Sequence, residues 1–402
     1  TEIADKVIDT IVKYGPGAIV DGRGSMCLGN SNNWVHSFFF DGLGTPFPSA
    51  TVDEGDDHQG ALVTCGKVNF GDSLETLVYS DIILIWAGNP VYSYNAIYHY
   101  IPEARYNGAK VIAITPDYNP SVQHTDQWVP IKIGSDAALA LAMAQVIIQE
   151  GLHKPDFVRE QTDLPLLVLE DSGKFLREAD IKRGGKDNTF YVYDLNRNLI
   201  TEAPKKSLAL DGLVPALEGE FMVQTRSGSK KVVPVMQLLR RKLNSEYTPE
   251  QAASVTGVPP DVIRSLAREF AAASGVQCLS QFCHSKFYHG DLMERSILLL
   301  FALCGHIGRK GANYHAFSSF GADTSVGESV RQGDMVLLSV MSHDPRYAGW
   351  REDGWTDEMI IYELTRNLFT AKMLFPTTMF YYIHSDLGEW SKKNNSWDPY
   401  LK

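Results

Sequence analysis

Three short polar turns hold the residues best suited to contact a ligand: Gly88-Asn89-Pro90, Pro116-Asp117 and Gly134-Ser135-Asp136. Each follows an apolar run that reads as a strand, and in an open parallel sheet ligands sit beyond the carboxyl ends of the strands. Gly88 permits close backbone approach, Asp117 can accept from ribose hydroxyls or a guanine edge, and N–H groups at the Ser135 helix start can hold phosphate. Taken singly, each is as easily an ordinary turn. Three in register on successive strands favour a nucleotide-type ligand.

Two further constellations are polar enough for chemistry. The run Asp53-Glu54-Gly55-Asp56-Asp57-His58 precedes Thr64-Cys65-Gly66, and standing alone it reads as a solvated acidic loop. Lys286, Tyr288, His289 and Asp291 lie together, although a histidine in an aromatic loop is often a hydrogen-bonded structural residue. The five cysteines, Cys27, Cys65, Cys278, Cys283 and Cys304, include no CxxC pair, which excludes a zinc or iron–sulfur site of ordinary spacing. Cys278 and Cys283 could pair, but buried free thiols are the preferred reading.

The elements that must position these residues follow from the apolar pattern. Asp81–Trp86 and Lys110–Thr115 read as strands buried on both faces, joined by a helix through Ala96–Tyr106 that ends at Asn107-Gly108. This is a βαβ unit and predicts a parallel sheet. An amphipathic helix is expected over Ala137–Gln149, with Ser135 or Asp136 as its N-cap. Between about 160 and 235, short aromatic runs separated by charged turns predict a small antiparallel excursion. Helices are expected from Thr248-Pro249-Glu250, over Val262–Ala273 and over Asp291–Leu303, the last followed by the glycine turn Gly305–Gly311. Near the amino end, a helix over residues 2–14 and a strand at Ala18–Val20 are expected, then an aromatic helix through Trp34–Phe40. Thr378–Ile383 reads as another strand, opening into His384-Ser385-Asp386.

Composition narrows the function classes. The chain has 402 residues, and its 37 Lys+Arg against 48 Asp+Glu give a net charge of −11. No basic stripe exists to neutralise phosphates, so a nucleic-acid partner is excluded. No apolar run reaches the roughly 18 residues that a direct membrane span needs.

The wording and order of Gly88-Asn89-Pro90, Thr115-Pro116-Asp117, Gly134-Ser135-Asp136, Tyr288-His289-Gly290-Asp291 and Cys304-Gly305-His306-Ile307-Gly308 resemble the molybdopterin oxidoreductases of the dimethyl-sulfoxide-reductase family. The segment with Gly184-Gly185-Lys186-Asp187 and Phe190-Tyr191-Val192 is similar to the nitrate, selenate and chlorate reductases, a subgroup that also holds ethylbenzene and dimethylsulfide dehydrogenases. The resemblance implies an α/β fold of two αβα sandwich (Rossmann-like) domains, one inserted in the other. Residues 46–240 would form the inserted domain; 1–45 plus 241–402 would form the second, incomplete one. It implies molybdenum with two molybdopterin guanine dinucleotides. Gly88, Asn89, Pro90, Asp117, Gly134, Ser135 and Asp136 would hold one nucleotide, and Gly305, Gly308, Gly311, Ser385 and Asp386 the other. The protein ligand to the metal would be Asp56, with Asp57 one residue off as runner-up; a hard carboxylate suits a high-valent oxo metal. His289 and Lys286 would orient an oxyanion or move protons. His36 and His58 are weaker candidates, and Arg23 and Arg309 are candidates for pterin or phosphate contact.

The resemblance also implies oxygen-atom transfer between Mo(IV) and Mo(VI) on a small oxyanion such as nitrate, nitrite, chlorate or selenate. A hydrocarbon or sulfide dehydrogenase is the alternative within the subgroup. A cofactor-free structural subunit of a redox complex, or a simple nucleotide-binding module, are the alternatives from other classes. An iron–sulfur subunit and a heme subunit are the implied partners, with a periplasmic or membrane-associated location in a bacterium or archaeon. A 4Fe-4S cluster is expected only on an N-terminal region that this chain does not include, and a closing C-terminal domain is also missing, so a fragment of a larger catalytic subunit is expected. Lys310 stands where the family often has proline or serine.

Overall fold

The computed structural model describes residues 2–20, 39–40, 43, 59–65, 74–93, 95–205, 209–280, 284–315 and 345–353. Asp56, Asp57, Ser385, Asp386, Arg23, His36, His58 and the expected strand Thr378–Ile383 lie outside them. The chain divides into two compact units, one of His58–Thr324 and one of Thr1–Asp57 with Ser325–Lys402.

Ten strands are described: β1 (Ile82–Trp86), β2 (Lys110–Thr115), β3 (Gln127–Pro130), β4 (Leu167–Leu169), β5 (Tyr191–Asp194), β6 (Leu199–Glu202), β7 (Phe221–Thr225), β8 (Gly228–Pro234), β9 (Val276–Leu279) and β10 (Asn313–His315). Five of them form one sheet in the order β10-β9-β1-β2-β3, and every neighbour in it is parallel. The alternation of β1 explains why it has no polar face. Ile82, Leu84 and Trp86 join the core under the helices Asp136–Gln149, Pro260–Ala272 and Gly290–Cys304, whereas Ile83 and Ile85 join Leu74, Leu77, Ile101 and Ala104 on the opposite side. A strand covered on both faces must be apolar at every position.

The remaining strands are antiparallel: β4-β8-β7 in one small sheet and β5-β6 in a hairpin. The boundary expected near residue 240 does not separate two sheets. β9 enters the central sheet beside β1, with Ile82 opposite Val276. The change of composition at 160–235 marks an excursion from the sheet's own domain, after which the chain returns to it.

Three local expectations are corrected. The helix Asp136–Gln149 is buried nearly all round, by Leu139, Ala140, Ala142, Met143, Ala144, Val146, Ile147 and Ile148, so it is a central helix and not an amphipathic one. Its N-cap, Ser135, makes no side-chain cap bond, because its hydroxyl donates to the Lys132 carbonyl at 2.6 Å. Residues Pro16–Ala18 form a single 3₁₀ turn in place of a strand, entered through Gly15 at φ 81°. Elsewhere a capping box does form: Gln251 N–H donates to Thr248 Oγ1 at 3.3 Å and Thr248 N–H to Gln251 Oε1 at 2.9 Å, starting the helix Pro249–Thr256.

Candidate functional site

The carboxyl ends of β1, β2 and β3 lie side by side, so Ala87–Asn89, Pro116-Asp117 and Gly134-Ser135 come to one edge of the sheet. β1 leaves the sheet through Ala87, a non-glycine residue at φ 60°, whose N–H is still held by the Ile114 carbonyl at 2.9 Å. A left-handed alanine costs free energy and persists where its surroundings over-determine it. The buried Gly88 and Pro90 flank Asn89, and Asn89 Oδ1 accepts from Ser121 Oγ at 2.6 Å. The Ser121 hydroxyl oxygen in turn accepts from Val91 N–H at 3.1 Å, so the loops after β1 and β2 are tied together. Asp117 is exposed; its carbonyl, not its carboxylate, takes the Thr115 hydroxyl at 2.9 Å. Gly134, at φ 79°, is exposed beside the ring of Phe287.

Asp136 is tied into the fold at this edge. It is buried, and its Oδ1 accepts from the Trp86 indole N–H at 2.8 Å. The fully buried His284 places Nε2 3.9 Å from the same oxygen, and its ring lies edge-on to Trp86 at 6.1 Å. This carboxylate fastens the end of β1 to the start of the central helix, and Ser135, also buried, closes the turn before it.

Lys286 and His289 are brought to this edge, on the segment that passes Gly134 and Asp136. Both side chains are exposed. His289 sits at φ 56° as the N-cap of the helix Gly290–Cys304, with its ring 3.9 Å from that of Tyr288, which is 90% exposed. Histidine is among the few residue types enriched in this backbone region.

The glycine turn Gly305–Gly311 is not brought to the same place. It joins the end of the long helix to the start of β10 and therefore lies at the amino edge of the parallel sheet. Two of its glycines, Gly305 and Gly311, answer to packing. A Cβ on Gly311 (φ 78°) would stand 2.5 Å from the Tyr79 carbonyl oxygen, and one on Gly275, before β9, would stand 2.5 Å from the Gly311 carbonyl oxygen. Ser80 Oγ donates to that Gly311 carbonyl at 3.1 Å. Gly305 (φ 63°) caps the helix against the Phe157 ring, and Gly308 N–H donates to Asn313 Oδ1 at 3.1 Å. Arg309, a candidate for phosphate contact, donates from Nε to the Gly305 carbonyl at 3.1 Å and from Nη2 to the Ser274 carbonyl at 2.8 Å. Lys310 places its ammonium 3.6 Å from the centre of the Tyr79 ring.

One group that sequence reading passed over stands out. Glu294 is fully buried in the first turns of the helix Gly290–Cys304. Its Oε2 accepts from Ala61 N–H at 2.9 Å, in the helix Gln59–Cys65 that directly follows the acidic run. Its Oε1 lies 3.0 Å from the Tyr314 hydroxyl, which is 2.7 Å from Ser280 Oγ. Burial, and then the Glu294 charge, hold the Tyr314 phenol well above its ordinary range. The signal was present in the sequence: Ile297, Leu298 and Phe301 follow at helical spacing, so Glu294 stands on an apolar face.

Cys65, Cys278 and Cys304 are free thiols. Burial pushes Cys65 up to about 11 and Cys304 up to about 12, so neither is a thiolate at neutral pH. Among the described residues no group of three or more His, Cys, Asp or Glu is arranged to hold a metal ion, and no helix is long and apolar enough to cross a membrane.

Residues 1–349 match the family model for molybdopterin oxidoreductase. The chain belongs to the molybdopterin oxidoreductase family. It is 37% identical over 318 residues to the chlorate reductase subunit alpha of Ideonella dechloratans, covering 78% of this chain and 34% of that one. It is 36% identical over 316 residues to the dimethylsulfide dehydrogenase subunit alpha of Rhodovulum sulfidophilum, covering 77% and 34%. The perchlorate reductase subunit alpha of Dechloromonas aromatica is 34% identical over 355 residues, covering 78% and 37%. The chain thus spans about a third of the length of these curated relatives.

The family's cofactor is molybdenum with molybdopterin. The carboxyl edge suits such a group in its donor set: an exposed carboxylate at Asp117, an open glycine at Gly134 and two exposed cationic or titratable side chains at Lys286 and His289. At the amino edge the spaces beside Gly305 and Gly311 are filled by Phe157 and Tyr79, whereas Gly308 is exposed with open space beside it.

Proposed function

We propose that this chain is the cofactor-holding core of a molybdenum-dependent catalytic subunit, with two αβα domains enclosing two molybdopterin guanine dinucleotides. The observation that carries this reading is the convergence of Asn89, Asp117, Gly134, Lys286 and His289 on one edge of a parallel sheet, in a chain of this family. Asn89, Asp117 and Gly134 would take one nucleotide, Asp117 accepting from its hydroxyl or amine donors. Ser385 and Asp386 would serve the other nucleotide. Asp56 would be the metal's carboxylate ligand, with Asp57 as runner-up.

Molybdenum held by pterin dithiolenes supplies two-electron oxygen-atom transfer when bound. The chain's own part is positioning and charge. Lys286 would attract and orient a small oxyanion, and His289 would hold or release a proton at its exposed imidazole. The substrate class would be chlorate, nitrate, nitrite or selenate, with electrons passing to or from an iron–sulfur subunit and a heme subunit. A sulfide or hydrocarbon dehydrogenase remains a second reading, favoured by the nearly equal identity to the dimethylsulfide dehydrogenase relative.

The test is metal analysis of the purified full-length subunit, followed by turnover of chlorate with reduced methyl viologen. The expected result is stoichiometric molybdenum, and a loss for Asp56→Ala larger than the roughly 10–100-fold that outer-shell partners of a metal cost. Asp57→Ala should retain most activity. A subunit free of molybdenum would overturn the reading in favour of a structural role.

A further inference from the structure

We infer that the basic turn Lys182-Arg183-Gly184-Gly185-Lys186, together with Arg226, docks an acidic face of a companion subunit. The inference rests on the reading of this chain as part of a catalytic subunit that works with others; the chlorate reductase, dimethylsulfide dehydrogenase and perchlorate reductase relatives are each a subunit alpha. In a chain of net charge −11, a cluster of outward cations is a local inversion of sign.

The inversion comes from where the neighbouring acids go. The turn hangs on the short helix Glu178–Ile181 in the antiparallel excursion. Glu178 is buried, with Oε2 accepting from Lys186 N–H at 2.8 Å and Oε1 2.5 Å from Lys182 Nζ. Asp180 Oδ2 accepts from Arg177 N–H at 2.8 Å. Both carboxylates are thus engaged with backbone amides, while Arg183 and Lys186 are exposed. The turn between β7 and β8 brings the exposed Arg226 alongside: its N–H donates to the Asp180 carbonyl at 2.8 Å and its Nη1 to the Ala179 carbonyl at 3.2 Å. A carbonyl dipole positions that guanidinium without neutralising it.

Among the described residues, no carboxylate pairs with Arg183, Lys186 or Arg226. Arginines on the helices are different: Arg240 pairs with Glu218, Arg241 with Glu170 and Glu220, Arg264 with Glu250 and Arg268 with Glu150. The basic turn is also held stiffly, since a Cβ on Gly185 would overlap the Glu178 carbonyl and Gly184 sits at φ 75°. A cation array ordered in advance gives up little conformational freedom on binding.

The occupant that fits is a protein face with a few carboxylates. These would meet the guanidinium forks of Arg183 and Arg226 and the ammonium of Lys186. A uniformly anionic surface, such as a lipid leaflet, would also meet the exposed Asp187 beside the turn and the chain's excess acids, which repel it.

The experiment dilutes the intact complex of the full-length subunit and reads the companion-bound fraction by mass photometry, at about 0.05 and 0.5 M sodium chloride. The triple variant Arg183→Glu, Lys186→Glu, Arg226→Glu is expected to raise the apparent dissociation constant about 100-fold or more at low salt. The neutral triple variant, with glutamine at the same positions, should raise it about 10-fold and serves if the reversed one does not accumulate. Both should approach the wild type at high salt, with molybdenum per subunit unchanged. A wild-type subunit that purifies with no companion overturns the multi-subunit reading itself. A companion held equally well in all forms at both salts overturns the docking surface alone. So does unchanged companion binding alongside loss of anionic-vesicle capture or of self-association, which would give the turn to a membrane or to a second copy.

Discussion

The two edges of the parallel sheet carry similar sequence and do different things. At the carboxyl edge, Gly88-Asn89-Pro90 and Gly134 lie among exposed polar groups such as Asp117, Lys286 and His289. At the amino edge, Gly305, Gly308 and Gly311 form a turn in which Phe157 takes the space beside Gly305 and Tyr79 that beside Gly311. Both stretches read alike as glycine-rich turns beside a helix. The side of the sheet decides between them. A turn after a strand opens toward the crevice where ligands bind; a turn after a helix lies at the opposite edge.

The largest expected effect breaks or keeps this contrast at the amino edge. Gly311→Ala adds a Cβ 2.5 Å from the Tyr79 carbonyl oxygen at a residue with φ 78°. It should destabilise the protein by about 3 kcal/mol or more, through backbone strain and overpacking together. Thermal unfolding checks this, with cofactor content per folded protein expected to stay at the wild-type value. Loss of cofactor at unchanged stability would mean that the turn is a ligand site after all.

A comparable effect should appear with pH. His306, in the same turn, is fully buried between Phe270 and Phe301, and its Nε2 pairs with the Phe270 carbonyl at 2.9 Å. Burial pushes its imidazole down from 6.5 to about 4. Above pH 6.5 the ring is neutral in both folded and unfolded chains. As pH falls from 6.5 toward 4, the unfolded chain takes a proton that the folded one refuses, and about 3 kcal/mol of stability is lost across that window. Comparing urea midpoints at pH 7 and pH 4.5 for wild type and His306→Gln should show a smaller fall in the variant.

The smallest effect on stability belongs to the carboxyl edge. Asp117→Asn, at an exposed position, should change stability by less than about 0.5 kcal/mol while lowering nucleotide retention. Released guanine, quantified after denaturation, measures that retention. Wild-type retention would remove Asp117 from the site.

Much of this contrast was legible in the residues. The unbroken apolar runs at β1 and β2 predict strands buried on both faces, and the structure has them within a residue of the expected bounds. The turns after β1, β2 and β3 follow from those runs. Long-range pairing was not legible. Nothing local in Val276–Leu279 says that it lies beside β1. The sequence does not reveal that the Trp86 indole pairs with Asp136. Glu294 was passed over because an isolated acid in an apolar helix is read as noise until its partners at Ala61 and Tyr314 are known.

The central claim is that the molybdenum sits beyond the carboxyl ends of the strands, on the carboxylate of Asp56. Anomalous diffraction at the molybdenum edge, on crystals of the full-length subunit, tests it most directly. The account predicts one anomalous peak on the β1–β2–β3 carboxyl side, bonded to Asp56. A peak on the Gly305–Gly311 side, or one bonded to neither Asp56 nor Asp57, would contradict it.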